Sequence, residues 1–133
     1  MHITGSCHCG AIHYEADVDP TVMRVCHCAD CQTFSGSAFR ISIRAMPGSL
    51  QVQGTPRTYT KTADSGRASE QAFCEHCGTH LFGTVPGSEP RICSIRVGTI
   101  HQRHQLRPVE QIWARSQLPW VADLAAVPSR DTQ

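Results

Sequence analysis

Aromatic residues are scarce in this 133-residue chain: four Phe, two Tyr and two Trp, 6% of the total. Any core must therefore lean on Ile, Val, Leu and Ala. Lysine is nearly absent. Eleven of the twelve basic residues are Arg, Lys61 being the exception, and they are scattered against eleven acidic residues. A formal charge of +1 with no basic cluster argues against a general nucleic-acid or anionic-membrane partner. No apolar run approaches the roughly 20 residues that span a bilayer. The opening MHITGSCHCGAIHY lacks both the basic and the apolar stretch of a secretory signal, so a reducing, cytoplasmic location is expected. Internal repeats, low-complexity tracts and linkers are also missing. At 40% hydrophobic and 17% charged residues the chain should fold rather than stay disordered. Its length fits a single domain, expected over residues 1–127 with a frayed polar tail at 128–133.

Cysteine is what the chain has in excess. Eight are present, and seven fall into tight groups: Cys7-x-Cys9, Cys26-x-Cys28-x-x-Cys31 and Cys74-x-x-Cys77. Cysteines one or two residues apart are poor disulfide partners, but two thiolates from one turn can both reach an ion about 2.3 Å from each sulfur. Metal binding is therefore the expectation. Seven thiolates exceed one tetrahedral ion, and the natural division is four and three. Cys7, Cys9, Cys74 and Cys77 would close a structural zinc site that staples the N-terminal segment to the middle of the chain. Cys26, Cys28 and Cys31 would hold a second zinc with one position open, the pattern of catalytic zinc. A zinc ribbon from Cys28, Cys31, Cys74 and Cys77 is a rival, although the 42 residues between its halves exceed the usual 15 to about 20. His8, His27, His76 or His80 can also complete a site; otherwise they are expected as exposed knuckle residues.

Elsewhere period-two apolar alternation dominates and no helical stripe is sustained. Strands are expected around Ile12–Val18 and Phe39–Ile43, and at Leu50–Gln53, Arg57–Thr62, Ser69–Phe73, His80–Val85, Ile92–Val97 and Gln111–Ala114. Turns are expected at Asp19-Pro20, Met46-Pro47-Gly48, Gly54-Thr55-Pro56, Ser65-Gly66, Pro86-Gly87 and Gly98, and one helical turn over Ala29–Phe34. The fold class is all-β with zinc knuckles in the turns. Cys93, alone in a strand, is expected as a buried inert thiol. Trp113 and Trp120 are expected in the core, or else in a pocket wall.

Gly5-Ser6-Cys7-His8-Cys9-Gly10, Cys26-His27-Cys28-Ala29-Asp30-Cys31-Gln32 with Ser35-Gly36-Ser37, and Phe73-Cys74-Glu75-His76-Cys77-Gly78-Thr79 together resemble the glutathione-dependent formaldehyde-activating enzymes. Val97-Gly98-Thr99-Ile100 and the Trp113 to Trp120 segment extend the likeness over residues 3–125. The resemblance implies bent antiparallel sheets, a β-tent like that of methionine sulfoxide reductase B. It implies structural zinc on Cys7, Cys9, Cys74 and Cys77 and active-site zinc on Cys26, Cys28 and Cys31. It also implies a carbon–sulfur lyase that reversibly condenses formaldehyde with glutathione to S-(hydroxymethyl)glutathione.

That chemistry suits a three-thiolate zinc. A thiol at the open position would ionise near neutral pH and attack the aldehyde; the metal can instead polarise the aldehyde oxygen, or glutathione can displace a cysteine ligand. His27 is a candidate general acid. Glutathione's carboxylates call for cationic or N–H donors. Ser35, Gly36 and Ser37 are candidates for backbone donors. Arg40 or Arg44 can pair with a carboxylate, but as alternate residues of one strand they are expected on its solvated face. Other readings are a lyase for a different thiol adduct, a non-enzymatic zinc module, or reductase chemistry at Cys93. A module would close both zinc sites and show a basic or aromatic face.

Overall fold

The computed structural model describes residues 1–62 and 66–133, so Ser65 of the expected Ser65-Gly66 turn lies outside the described residues. In chain order the strands are β1 (His2–Ser6), β2 (His13–Asp17), β3 (Arg24–Cys26), β4 (Arg40–Arg44), β5 (Gln51–Gln53), β6 (Arg57–Thr62), β7 (Ala68–Phe73), β8 (His80–Thr84), β9 (Cys93–Arg96) and β10 (Glu110–Ile112). They form two sheets, a small one in the order β1-β2-β5 and a large one in the order β10-β3-β4-β9-β8-β7-β6.

Alternation explains most of these strands. In β2, Tyr14 and Ala16 point into the core while His13, Glu15 and Asp17 face water. The large sheet contributes Ile43, Ala72, Phe82 and Ile95 to the same core, which the small sheet completes with Ile3, Tyr14 and Ala16. Single bridges between Gly5 and Ile100 and between Val18 and Ala45 tie the edges of the two layers together.

The architecture is mostly β, as the sequence suggests, with one departure from antiparallel order: β10 runs parallel to β3. A parallel neighbour needs a crossover rather than a tight turn. Residues 97–109, which include the 3-10 stretches Val97–Thr99 and Arg103–Gln105, supply it.

The helical turn expected over Ala29–Phe34 is α1 (Ala29–Ser35), closed at its C-terminus by Gly36 in the left-handed region. Trp113 and Trp120 do not enter the core. They are 50% and 53% exposed, because the chain after β10 runs over the surface in short 3-10 stretches, including Pro119–Ala126. Trp113 instead stacks under the Arg115 guanidinium, 4.8 Å from the ring centre. No helix among the described residues is long and apolar enough to cross a membrane.

Candidate functional site

Two knuckles of the same construction bring Cys7, Cys9, Cys74 and Cys77 together. Cys7 follows β1, and the Gly10 amide donates to the Cys7 carbonyl at 3.1 Å; Cys74 follows β7, and the Gly78 amide donates to the Cys74 carbonyl at 2.8 Å. Gly10 and Gly78 take φ of 79° and 70°, which lets each chain reverse within one turn. The Ile12 amide donates to the Cys7 sulfur at 3.3 Å, as suits a thiolate. One knuckle belongs to the small sheet and the other to the large sheet.

The four sulfurs lie within 4.8 Å of one another, with Cys7 to Cys9 at 3.6 Å and Cys9 to Cys74 at 3.8 Å. Four sulfurs around one tetrahedral zinc stand about 3.8 Å apart, so the donor set fits that ion. The four thiols differ in how readily they ionise. Hydrogen bonding from the Thr79 hydroxyl and amide holds Cys77 down to about 5. At Cys9 the Ala11 amide favours the thiolate, but Cys7, Cys74 and Cys77 outweigh it and push the thiol up to about 11.

The second group forms where β3 runs into α1. Cys26 ends the strand, Cys28 is the N-cap of the helix and Cys31 lies in its first turn. Cys28 makes no capping bond, which leaves its sulfur 3.5 Å from that of Cys26. All three sulfurs fall within 4.8 Å of one another; Cys26 and Cys31 are buried and Cys28 is half-exposed. This is a three-donor set approached from the Cys28 side. Cys31 is the main cause that holds Cys26 down to about 5, and Cys26 in turn pushes Cys31 upward.

His27, expected on the surface, is 0% exposed. Its amide donates to the Ile112 carbonyl, and its Nε2 meets the Gln111 side-chain oxygen at 2.7 Å, which places the ring hydrogen on Nε2. Gln32 completes the clamp by donating to the carbonyls of His27 and Ser116 at 2.7 and 3.0 Å. The trio's loop is thus held from behind by the segment around β10. His8 and His76 are exposed as expected, and His80 is half-buried.

A cavity of about 710 Å³ opens beside α1, between its C-terminal end, β4 and the Val97–Thr99 turn. Phe34 and Val97 form apolar parts of its wall, His80 a polar part, and Arg40 and Arg96 its cationic part. The three sulfurs are not among its lining residues. Arg40 is the connection: it lies opposite Cys26 in the sheet, and its charge favours the thiolates of both Cys26 and Cys31. Arg40 is half-buried rather than on a solvated face, whereas Arg44 is exposed as expected. Ser35 and Gly36 also line the cavity, but the Gly36 amide caps Gln32 and Thr33 and the Ser37 amide donates to Gln32. Neither amide is left over for a ligand. Cys93 is buried, as expected, and burial pushes its thiol upward. Sequence reasoning missed Arg96, Gln71 and His80 as neighbours of this cavity. The one signal was an arginine inside the apolar strand Cys93–Arg96.

A small two-sheet protein with two separate cysteine groups, each able to hold a metal ion, is the class that fold and site define. Within that class the chain belongs to the glutathione-dependent formaldehyde-activating enzyme family, whose sequence profile matches residues 2–116. A Halomonas elongata protein, provisionally named a glutathione-dependent formaldehyde-activating enzyme, is 31% identical over 87 residues. The match covers 62% of this chain and 55% of that protein, so the chain spans about half the length of its relative. A crystal structure of a Rhodobacter sphaeroides protein shares the fold, with a TM-score of 0.61 at 21% identity over 81% of this chain and 98% of that one.

Proposed function

We propose that the chain is a zinc-dependent carbon–sulfur lyase that reversibly joins formaldehyde, or a related small aldehyde, to glutathione. The observation that carries this reading is the three-sulfur group, half-open at Cys28, beside a cavity large enough for a small peptide and walled by arginine. Cys7, Cys9, Cys74 and Cys77 would hold a structural zinc, and Cys26, Cys28 and Cys31 would hold a second zinc with one position open. An ion held by the trio would supply positive charge that favours an ionised thiol at neutral pH.

In the forward direction the thiol gives up its proton to solvent water and its sulfur attacks the aldehyde carbon. A carbon–sulfur bond forms, the carbonyl π pair moves to oxygen, and that oxygen takes a proton from water to give the hydroxymethyl thioether. The chain's own residues fix this geometry. Gln111 and Gln32 lock the loop that carries Cys26 and Cys28, and the cavity wall orients the thiol's peptide body. His27 acts as a brace, since it is buried and its Nε2 is committed to Gln111.

Exchange NMR of formaldehyde and glutathione, with and without protein at equal metal content, tests the reading. Acceleration that disappears in Cys28→Ser supports it; no acceleration over buffer sinks it. Cobalt replacement checks the open position: four-sulfur spectra at both sites would favour a non-enzymatic zinc module.

A further inference from the structure

Arg96 is 6% exposed and lies beneath the cavity, where its Nη2 donates to the Gln71 side-chain oxygen at 2.5 Å and its Nη1 to the Ser94 carbonyl at 3.1 Å. Arg40 donates to the same Gln71 oxygen at 3.3 Å. Two guanidinium groups therefore share one neutral acceptor. Neither has a carboxylate partner among the described residues, all of whose ion pairs involve other cations. Nε of both arginines and Nδ1 of His80 are buried with no hydrogen-bond partner, and all three residues line this one cavity.

The sheet builds this arrangement deliberately. Arg96 sits opposite Ser42, two residues along β4 from Arg40, so both arginines occupy one face. Gln71 lies opposite Gly83, and Gly83 opposite Ser94, on the same face. A Cβ at Gly83 would stand 3.1 Å from the Arg96 Nη2 and 3.3 Å from the Gln71 Nε2, so the missing side chain is what lets the pair lie flat. Like charges gathered with unpaired donors are costly unless an anion joins them. The Cys26 and Cys31 thiols lie within electrostatic reach of both guanidinium groups.

The geometry points to an anion subsite: Arg40 and Arg96, bridged by Gln71, receive a carboxylate of the thiol substrate while its sulfur reaches toward the trio. This deepens the lyase reading and rests on it for the identity of the thiol. It explains why a tripeptide with carboxylates a few bonds from its sulfur would be chosen over a small neutral thiol. The selectivity lies in the cavity rather than at the metal.

The test uses the zinc-loaded protein and S-methylglutathione, which has carboxylates but no free thiol, set against its diethyl ester. Calorimetry should show the diacid binding about ten-fold or more tightly than the diester, the worth of one charge-assisted pair. Arg40→Gln, with unfolding midpoint and zinc content checked, should bring that ratio close to one; Gln71→Leu should reduce it while both arginines remain. Equal affinity for diacid and diester in the wild type would overturn the subsite. So would an Arg40→Gln protein that loses its second zinc with the ratio unchanged, since Arg40 would then be only the trio's counter-charge. A clear diacid preference without catalysed formaldehyde exchange would support the subsite and defeat the lyase reading instead.

Discussion

Serine at position 28 should have a different consequence from serine at position 74, although both changes remove one sulfur. Cys28 is the half-exposed member of a trio built on one loop, so Cys28→Ser should leave the unfolding midpoint within a few degrees and lower zinc from two per chain to one. Two zincs retained would mean that the sulfurs are partitioned wrongly. Cys74 is buried and joins knuckles on different sheets. Cys74→Ser should cost several kcal/mol, because a structural zinc contributes its binding free energy to folding. An unchanged midpoint would refute that role. Arg96 bears on the pH profile. Burial, then the Arg40 charge, lower the Arg96 guanidinium from its ordinary value, yet it stays cationic at neutral pH. Diacid binding should therefore be level between about pH 6 and pH 8, and a steep fall across that range would count against a guanidinium subsite. Cysteine was the legible residue, because chelating pairs come from single turns and depend on nothing distant. Arg40 was not legible. In Ser-Ala-Phe-Arg-Ile-Ser-Ile-Arg the alternation marks both arginines as outward-facing, but α1 and the Val97–Thr99 turn enclose that face at Arg40 and leave Arg44 in water.

At the scale of elements, β3 explains why some strands cannot be found by pattern. Its three residues show no pattern of their own, and it exists because it pairs with β10 on one side and β4 on the other. β1, with a single Ile among His, Thr, Gly and Ser, is likewise defined by its pairing with β2 rather than by its own composition. The longer strands β2, β4, β6, β7 and β8 carry enough period-two signal to be placed from sequence within a residue or two. His27 was misplaced because the lid that buries it arrives from far along the chain. Removing that lid's key contact is informative. Gln111→Ala strips the acceptor from a fully buried His27 Nε2, which should cost about 1–3 kcal/mol. It should also loosen the trio, so that competition with a metal indicator reads weaker binding of the second ion and unchanged binding of the first. Equal weakening of both would show that β10 supports the fold generally and not this loop.

For the whole molecule, the two cysteine groups differ in what they join. The quartet spans the two sheets, whereas the trio lies within one turn of strand and helix. Graded chelator treatment should therefore remove metal in two steps. The first ion should leave with the far-ultraviolet signal intact and any catalysed exchange abolished; the second should leave together with cooperative unfolding. Loss of both ions in one transition would show that the trio is as structural as the quartet.

The β10 clamp also separates the brace from the sulfurs along the chain. Gln111 and Ser116 each follow their partner in the trio's loop by 84 positions. All four sulfurs of the quartet, and all three of the trio, precede both of these residues in the chain. A chain ending before β10 would therefore keep all seven clustered cysteines yet lack the brace behind Cys26 and Cys28.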